Sequence, residues 1–341
     1  MDFDDGRLDD PVALTMVDAR LRDLASAGAR LRIEAEAAQG PIAALTERDR
    51  PRAVLALGTE ARFLRAVLEP GCPVPFVAWQ EPTLPGWVGP LDIVVVLGAE
   101  SRLVPSLVEA VRRGCQVILS CPPGAPGGEL IDARSTLLPA TTADPLAMAI
   151  VMLSALHGVG LAPFVHVQSI ADALDGVAEA CSVHADLVSN PAKVLASELA
   201  DALPLVFGTS VLSARAARRV AEGLRSAGGR VALAADAREL LPVVEGTPAR
   251  DLFADPFEEH TDTAPVLLFL DDGLAEPSVH VETLLDAAEA RDVRVSRIAR
   301  SENSAVERYA TMLQEGLFAA TYLRVGLGRD AGGPTWHNRR P

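Results

Sequence analysis

The stretch that most constrains this chain is Leu91–Cys121, LDIVVVLGAESRLVPSLVEAVRRGCQVILSC. Ile93–Leu97 is a continuous apolar run rich in β-branched residues, the signature of a strand covered on both faces. Gly98 breaks it, and Val104, Leu107, Val108 and Val111 then recur at helical spacing. Arg112 and Arg113 fall in the last turn, where cations suit the helix dipole, and Gly114 follows as a C-cap before a second strand, Gln116–Ser120. Such a unit joins two parallel strands by a right-handed crossover. In open sheets of this kind ligands sit at the carboxyl ends of the strands. The turn Gly98-Ala99-Glu100-Ser101 is therefore the first place to look for function.

The same pattern runs along the whole chain. Before this unit, Arg52–Leu57 reads as a strand ending at Gly58, and Pro75–Ala78 as another; after it, Leu137–Thr142 closes the series. A second series begins with Pro204–Phe207, the turn Gly208-Thr209-Ser210 and a helix over Ala214–Ala227. Val231–Ala234, Pro265–Leu270 (ending in Asp271-Asp272-Gly273) and Arg294–Ile298 are its further strands, with His280–Ala290 and Ala305–Leu327 as helices. The expected fold is α/β, with two doubly wound, flavodoxin-like parallel-sheet lobes and an N-terminal helical segment. The 341 residues divide into that segment at 1–48, a first lobe at 49–165, a helical bridge at 166–203, a second lobe at 204–328 and a loose tail at 329–341.

Asp10 can cap a first helix that carries Leu14, Val17, Leu21 and Leu24 on one face, and Ala29–Gln39 follows as a second. That pair reads as a lid or dimer arm beside the first sheet. Pro145–His157 is apolar nearly all round, so it is deeply buried or lies at an interface. A homodimer formed through it and the terminal helix is expected.

Charge and motifs narrow the function. Lys and Arg number 31 against 46 Asp and Glu, a net charge of −15. The summed field repels phosphate backbones and anionic lipid, so neither nucleic acid nor a membrane surface is an expected partner. A small phosphorylated ligand is still compatible, because a local nest of backbone amides outweighs a distant field. Cys72, Cys115, Cys121 and Cys181 form no CxxC pair and read as free thiols. The acidic N-terminus lacks the regions of a signal peptide and no apolar run reaches a membrane span, so a cytoplasmic location is expected. Gly58-Thr59-Glu60-Ala61-Arg62 lacks the spaced glycines of a dinucleotide fingerprint, and Gly326-x-Gly328 follows a helix rather than a strand. Walker, HExxH and GxSxG patterns are missing, and the six histidines show no helical metal-ligand spacing. No cofactor or metal is expected. What remains is three strand-end turns with hydroxyls: Gly58-Thr59, Gly98 to Ser101, and Gly208-Thr209-Ser210. Such residues either cap the following helix or converge with backbone amides on a phosphate.

Several stretches carry a resemblance. They are Asn190-Pro191-Ala192-Lys193 followed by Leu195-Ala196, Trp87-Val88-Gly89-Pro90, Arg112-Arg113-Gly114, Val206-Phe207-Gly208, and Glu315-Gly316 with Tyr322-Leu323. In this order, over about residues 10–330, the chain resembles bacterial and archaeal bifunctional phosphoglucose/phosphomannose isomerases, which have two sugar isomerase (SIS) domains. The resemblance implies a sugar phosphate as ligand and aldose–ketose isomerisation as the reaction. It also locates the departures. The family's phosphate loop, roughly S-x-S-G-N-T-E-E-T, aligns with Val95 to Leu103, where the glycine, Gly98, is kept. Each hydroxyl donor to a charged phosphate is worth about 1.5–3 kcal/mol, so losing two or three weakens binding by roughly a hundredfold or more. The family's glutamate and histidine, from its N-E-N-A-K and N-H-N-E stretches, are also not at their places. Glu239 and His260 (beside Glu258 and Glu259) are the candidate replacements for acid–base work.

The expected ligand-binding residues are Gly58, Thr59, Gly98, Glu100, Ser101, Thr209 and Ser210. The expected function is a divergent SIS-domain protein that binds a sugar phosphate, with isomerase catalysis weak or lost. The alternatives are an active isomerase with a rearranged site and a non-catalytic scaffold for an enzyme of a sugar-nucleotide pathway.

Overall fold

The computed structural model describes residues 3–45, 50–98, 100–248, 264–273, 278–301 and 303–329. The chain divides into two compact units, Ala27–Asp172 and a discontinuous one made of Met1–Ser26 with Ala173–Pro341.

The discontinuous unit starts with α1 (Pro11–Thr15) and α2 (Asp18–Ala25). Asp10 caps α1 by accepting from the Val12 amide at 2.9 Å, with Pro11 in the first turn. Of the two helices expected beside the first sheet, the second, Ala29–Gln39, does pack against that sheet's edge strand Thr136–Pro139, whereas the first is corrected. Asp4 N–H donates to the Gly326 carbonyl at 3.0 Å, and the Arg7 guanidinium to the Val325 carbonyl at 2.8 Å. Gln314 donates to the Leu24 carbonyl at 2.9 Å. Leu14, Val17, Leu21 and Leu24 are buried on that side, so the apolar stripe covers the last helix of its own unit.

Ala27–Asp172 begins with α3 (Ala27–Ala43), then β1 (Val54–Gly58), α4 (Ala61–Leu68), β2 (Phe76–Ala78) and β3 (Ile93–Leu97). It continues through α5 (Val104–Arg112), β4 (Gln116–Cys121), α6 (Pro126–Glu129), β5 (Thr136–Pro139) and α7 (Pro145–Gly158). All pairings are parallel, in the order β2-β1-β3-β4-β5. This is the doubly wound order with its switch point between β1 and β3. Strand residues alternate between two cores, as the pleat requires. Leu55, Leu57, Val94, Val96, Val117 and Leu119 face a cluster that includes Leu107 of α5. α3 and α4 each pack on α7, and α7 also reaches β3. Glu34 of α3 accepts the Thr141 amide at 2.8 Å, and Arg30 pairs with Asp144, the cap of α7, at 2.6 Å.

α8 (Val167–Ala180) leads to α9 (Pro191–Glu198), β6 (Ala202–Gly208), α10 (Val211–Gly228), β7 (Leu233–Ala234) and α11 (Ala237–Glu245). β8 (Ala264–Asp271), α12 (Val279–Ala290), β9 (Val295–Ala299) and α13 (Ala305–Gly326) follow. The second sheet is parallel with the order β7-β6-β8-β9, which repeats the first four places of the other sheet. Phe207 and Phe269 stack at 4.7 Å on the face covered by α11 and α12, while α10 packs on β6 and β8 and against α13. The all-round burial of α7 and α13 is accounted for by packing of this kind within one chain, so it does not itself call for a second copy.

Candidate functional site

Each sheet brings two strand ends together at its switch point, where an open α/β sheet receives a ligand. In the first sheet, Gly58 closes β1 directly opposite Leu97 of β3. A Cβ on Gly58 would lie 2.0 Å from the Leu97 carbonyl oxygen, and its φ of +105° is one that side chains rarely adopt, so only glycine fits. Gly98 mirrors it with φ +107°. The two glycines let both turns leave the sheet side by side, and Thr59 and Glu100 follow them into the crevice. The Thr59 hydroxyl donates to Glu100 Oε1 at 3.0 Å. The Glu100 carboxylate leans back over Gly98, its two oxygens 3.3 and 3.5 Å from where a Cβ would stand. Arg102 lies 3.9 Å from Oε2. Ser101 opens a short 3-10 turn, Ser101–Leu103, and is exposed. Four of the expected residues, Gly58, Thr59, Gly98 and Glu100, thus converge at one place.

In the second sheet Gly208 of β6 pairs with Leu270 of β8. Thr209 and Ser210 follow, and Ser210 caps α10 through a capping box with Ser213, accepting its amide at 3.0 Å. The Ser210 hydroxyl also donates to Asp272, just beyond β8, whose side chain is buried. Both crevices therefore pair a hydroxyl from the first strand's turn with a carboxylate from the third strand's turn. Asp272 is the residue that sequence reasoning passed over: the acidic pair Asp271-Asp272 at a strand end is visible in the sequence, but its meeting with Ser210 needs the strand order.

Glu239 lies at the start of α11, exposed, where it forms a capping box with Asp236 and accepts that residue's amide at 3.4 Å. His260 lies outside the described residues, as do Glu258 and Glu259. Among the described residues, no group of three or more His, Cys, Asp or Glu is placed to hold a metal, and no helix is long and apolar enough to cross a membrane.

The Asn190-Pro191-Ala192-Lys193 stretch has a structural job. Asn190 is fully buried, accepts the Ala192 and Lys193 amides at 3.0 and 3.1 Å, and donates to the Ser182 carbonyl at 2.9 Å. Lys193, equally buried, donates to Asp9 at 2.6 Å and to the Ala185 and Val183 carbonyls at 2.7 and 3.3 Å, and sits 5.5 Å from the Tyr322 ring centroid. Gly326-x-Gly328 is the end of α13, where the Phe3 ring lies against Gly326.

The order 2-1-3-4 is common to both parallel sheets, the first carrying one further strand, and each has its own switch point. Residues 188–333 match the family model described as the bacterial phospho-glucose isomerase C-terminal SIS domain. The whole chain shares its fold with a glucose-6-phosphate isomerase like protein from Thermus thermophilus, at 18% identity and a TM-score of 0.51, covering 91% of this chain and 94% of that one. Tagatose-6-phosphate ketose/aldose isomerase from Escherichia coli is similar at 13% identity and TM-score 0.57, covering 96% and 97%. The C-terminal domain of glucosamine-fructose-6-phosphate aminotransferase from Francisella tularensis is similar at 12% and 0.59, covering 89% and 96%. No curated protein matches the sequence.

Proposed function

We propose that this protein, with SIS-like domains at 49–165 and 204–328, binds a sugar phosphate and has lost efficient aldose–ketose isomerisation. The observation that carries the reading is the β1/β3 crevice, where the paired glycines and the Thr59 hydroxyl come together with a carboxylate, Glu100, beside them. Isomerisation also needs a base over the sugar's C1–C2 bond, a contribution of about 10²–10⁴ in rate. Glu239, a candidate for that base, caps its own helix instead of standing free.

Calorimetric titration with fructose 6-phosphate and mannose 6-phosphate, run beside a coupled isomerase assay, tests the proposal. Binding without turnover is expected. Turnover that disappears in Glu239→Gln or His260→Ala would establish the rearranged active isomerase instead. A stable protein partner with no sugar-phosphate binding would establish the scaffold. The companion proposal, a cytoplasmic homodimer, is read by sedimentation equilibrium, where a monomer mass overturns it.

A further inference from the structure

The two switch-point crevices each hold a carboxylate, and they hold it differently. Asp272 is only 1% exposed, part of the packed end of β8, and accepts from Ser210. The Glu100 side chain keeps 42% of its exposure, in a turn, with the Thr59 hydroxyl at 3.0 Å and Arg102 at 3.9 Å as its polar contacts. Its carboxylate rests on Gly98, in the mouth of the crevice to which the sheet's topology directs a ligand. There it takes the hydroxyl that an incoming anion would use, and adds a negative charge at the same spot.

We infer that Glu100 is the specificity-determining residue of the β1/β3 crevice: its carboxylate stands in for a ligand's phosphoryl group and must swing away before one binds. This rests on the sugar-phosphate reading above and adds the residue that sets affinity. Displacement needs only side-chain rotation in an exposed turn, with the half-exposed Arg102 guanidinium on hand to receive the carboxylate. A phosphoryl group entering while Glu100 is in place meets a like charge and an occupied donor, and both disfavour binding. Asp272, held inside the fold, is not displaced. Of the two switch-point crevices among the described residues, the β1/β3 one is therefore the one that can take a phosphoryl group.

Titrating the full chain with inorganic phosphate and, separately, with fructose 6-phosphate tests this in wild type, Glu100→Ala, Glu100→Gln and Glu100→Ala/Thr59→Val. Glu100→Ala should bind both ligands roughly tenfold or more tightly, the worth of one hydroxyl hydrogen bond to a charged group. Glu100→Gln should gain less, because its amide oxygen still accepts from Thr59, and the double variant should lose the gain. Fructose 6-phosphate bound equally by wild type and Glu100→Ala overturns the role of Glu100 and leaves the sugar-phosphate reading standing. A gain for inorganic phosphate alone, with fructose 6-phosphate bound by neither protein, supports Glu100 and overturns that reading. No gain for either ligand, with an unchanged melting midpoint showing an intact fold, overturns the inference.

Discussion

A thiol packed away from water resists ionisation, and Cys181 carries that effect furthest here. Burial, reinforced by the nearby Glu315 carboxylate, pushes its pKa up to about 12. Tyr322, whose hydroxyl donates to the Cys181 carbonyl at 2.8 Å, is shifted up as well, again by burial first. In the unfolded chain both groups ionise nearer their ordinary values, so above about pH 9 the unfolded state loses protons that the folded state keeps. Stability should then fall as pH rises from 9 toward 12, Cys181 contributing up to about 1.4 kcal/mol per pH unit. Urea unfolding at a series of pH values from 8 to 11 (chosen for the assay) checks this, and Cys181→Ala should flatten the slope. An equal slope in the variant shows that the thiol is not linked to folding. The same burial that makes Cys181 unreactive was legible in the sequence only as an absence of CxxC pairs.

At the scale of elements, legibility followed local signal. Ile93–Leu97 and the helix from Pro145 stand where the apolar runs put them, because burial on every side leaves an unbroken hydrophobic string. α11 was missed, since Pro242 interrupts its apolar pattern. The Asp236-Ala237-Arg238-Glu239 capping box was the signal available. The glycines of both crevice turns were readable, but Thr59 and Glu100 meet across 41 positions, a contact that exists only because β1 and β3 are neighbours. In sequence the N-P-A-K stretch carries a family resemblance, whereas its physics is that of a buried helix start. Replacing Asn190 by Ala removes the cap of α9 and the hydrogen bond to the half-buried Ser182 carbonyl. Cap loss costs about 0.5–2 kcal/mol and the lost hydrogen bond about 0.5–1.5, so a total of about 1–3 kcal/mol is expected by chemical denaturation. Asn190→Asp keeps the acceptor, loses the donor, and should fall between wild type and Ala.

For the whole molecule, the strand order 2-1-3-4 appears twice, yet the chain does not fold as two consecutive beads. One unit is continuous and the other is assembled from both ends of the sequence. The first turn of chain is tied to the last helix by the Asp4 and Arg7 bonds to Gly326 and Val325, by Phe3 on Gly326, and to α9 by Asp9 on Lys193 and Asp5 on Ser197. Lys193 makes this tie costly to lose, because a buried ammonium deprived of its carboxylate keeps its desolvation penalty without its partner. Deleting residues 1–9 should therefore loosen one unit and spare the other. Hydrogen exchange should show lost protection over α9 and the C-terminal end of α13, while β1, β3 and β4 exchange as in the intact chain. Asp9→Asn is the milder probe: it keeps an acceptor near the Lys193 ammonium and removes only the charge, so its loss of protection should be smaller and centred on α9. Equal protection across α9 and α13 in the deleted chain would mean that the last helix holds without its N-terminal strap, and that the two ends of the sequence are joined in space without depending on each other for stability.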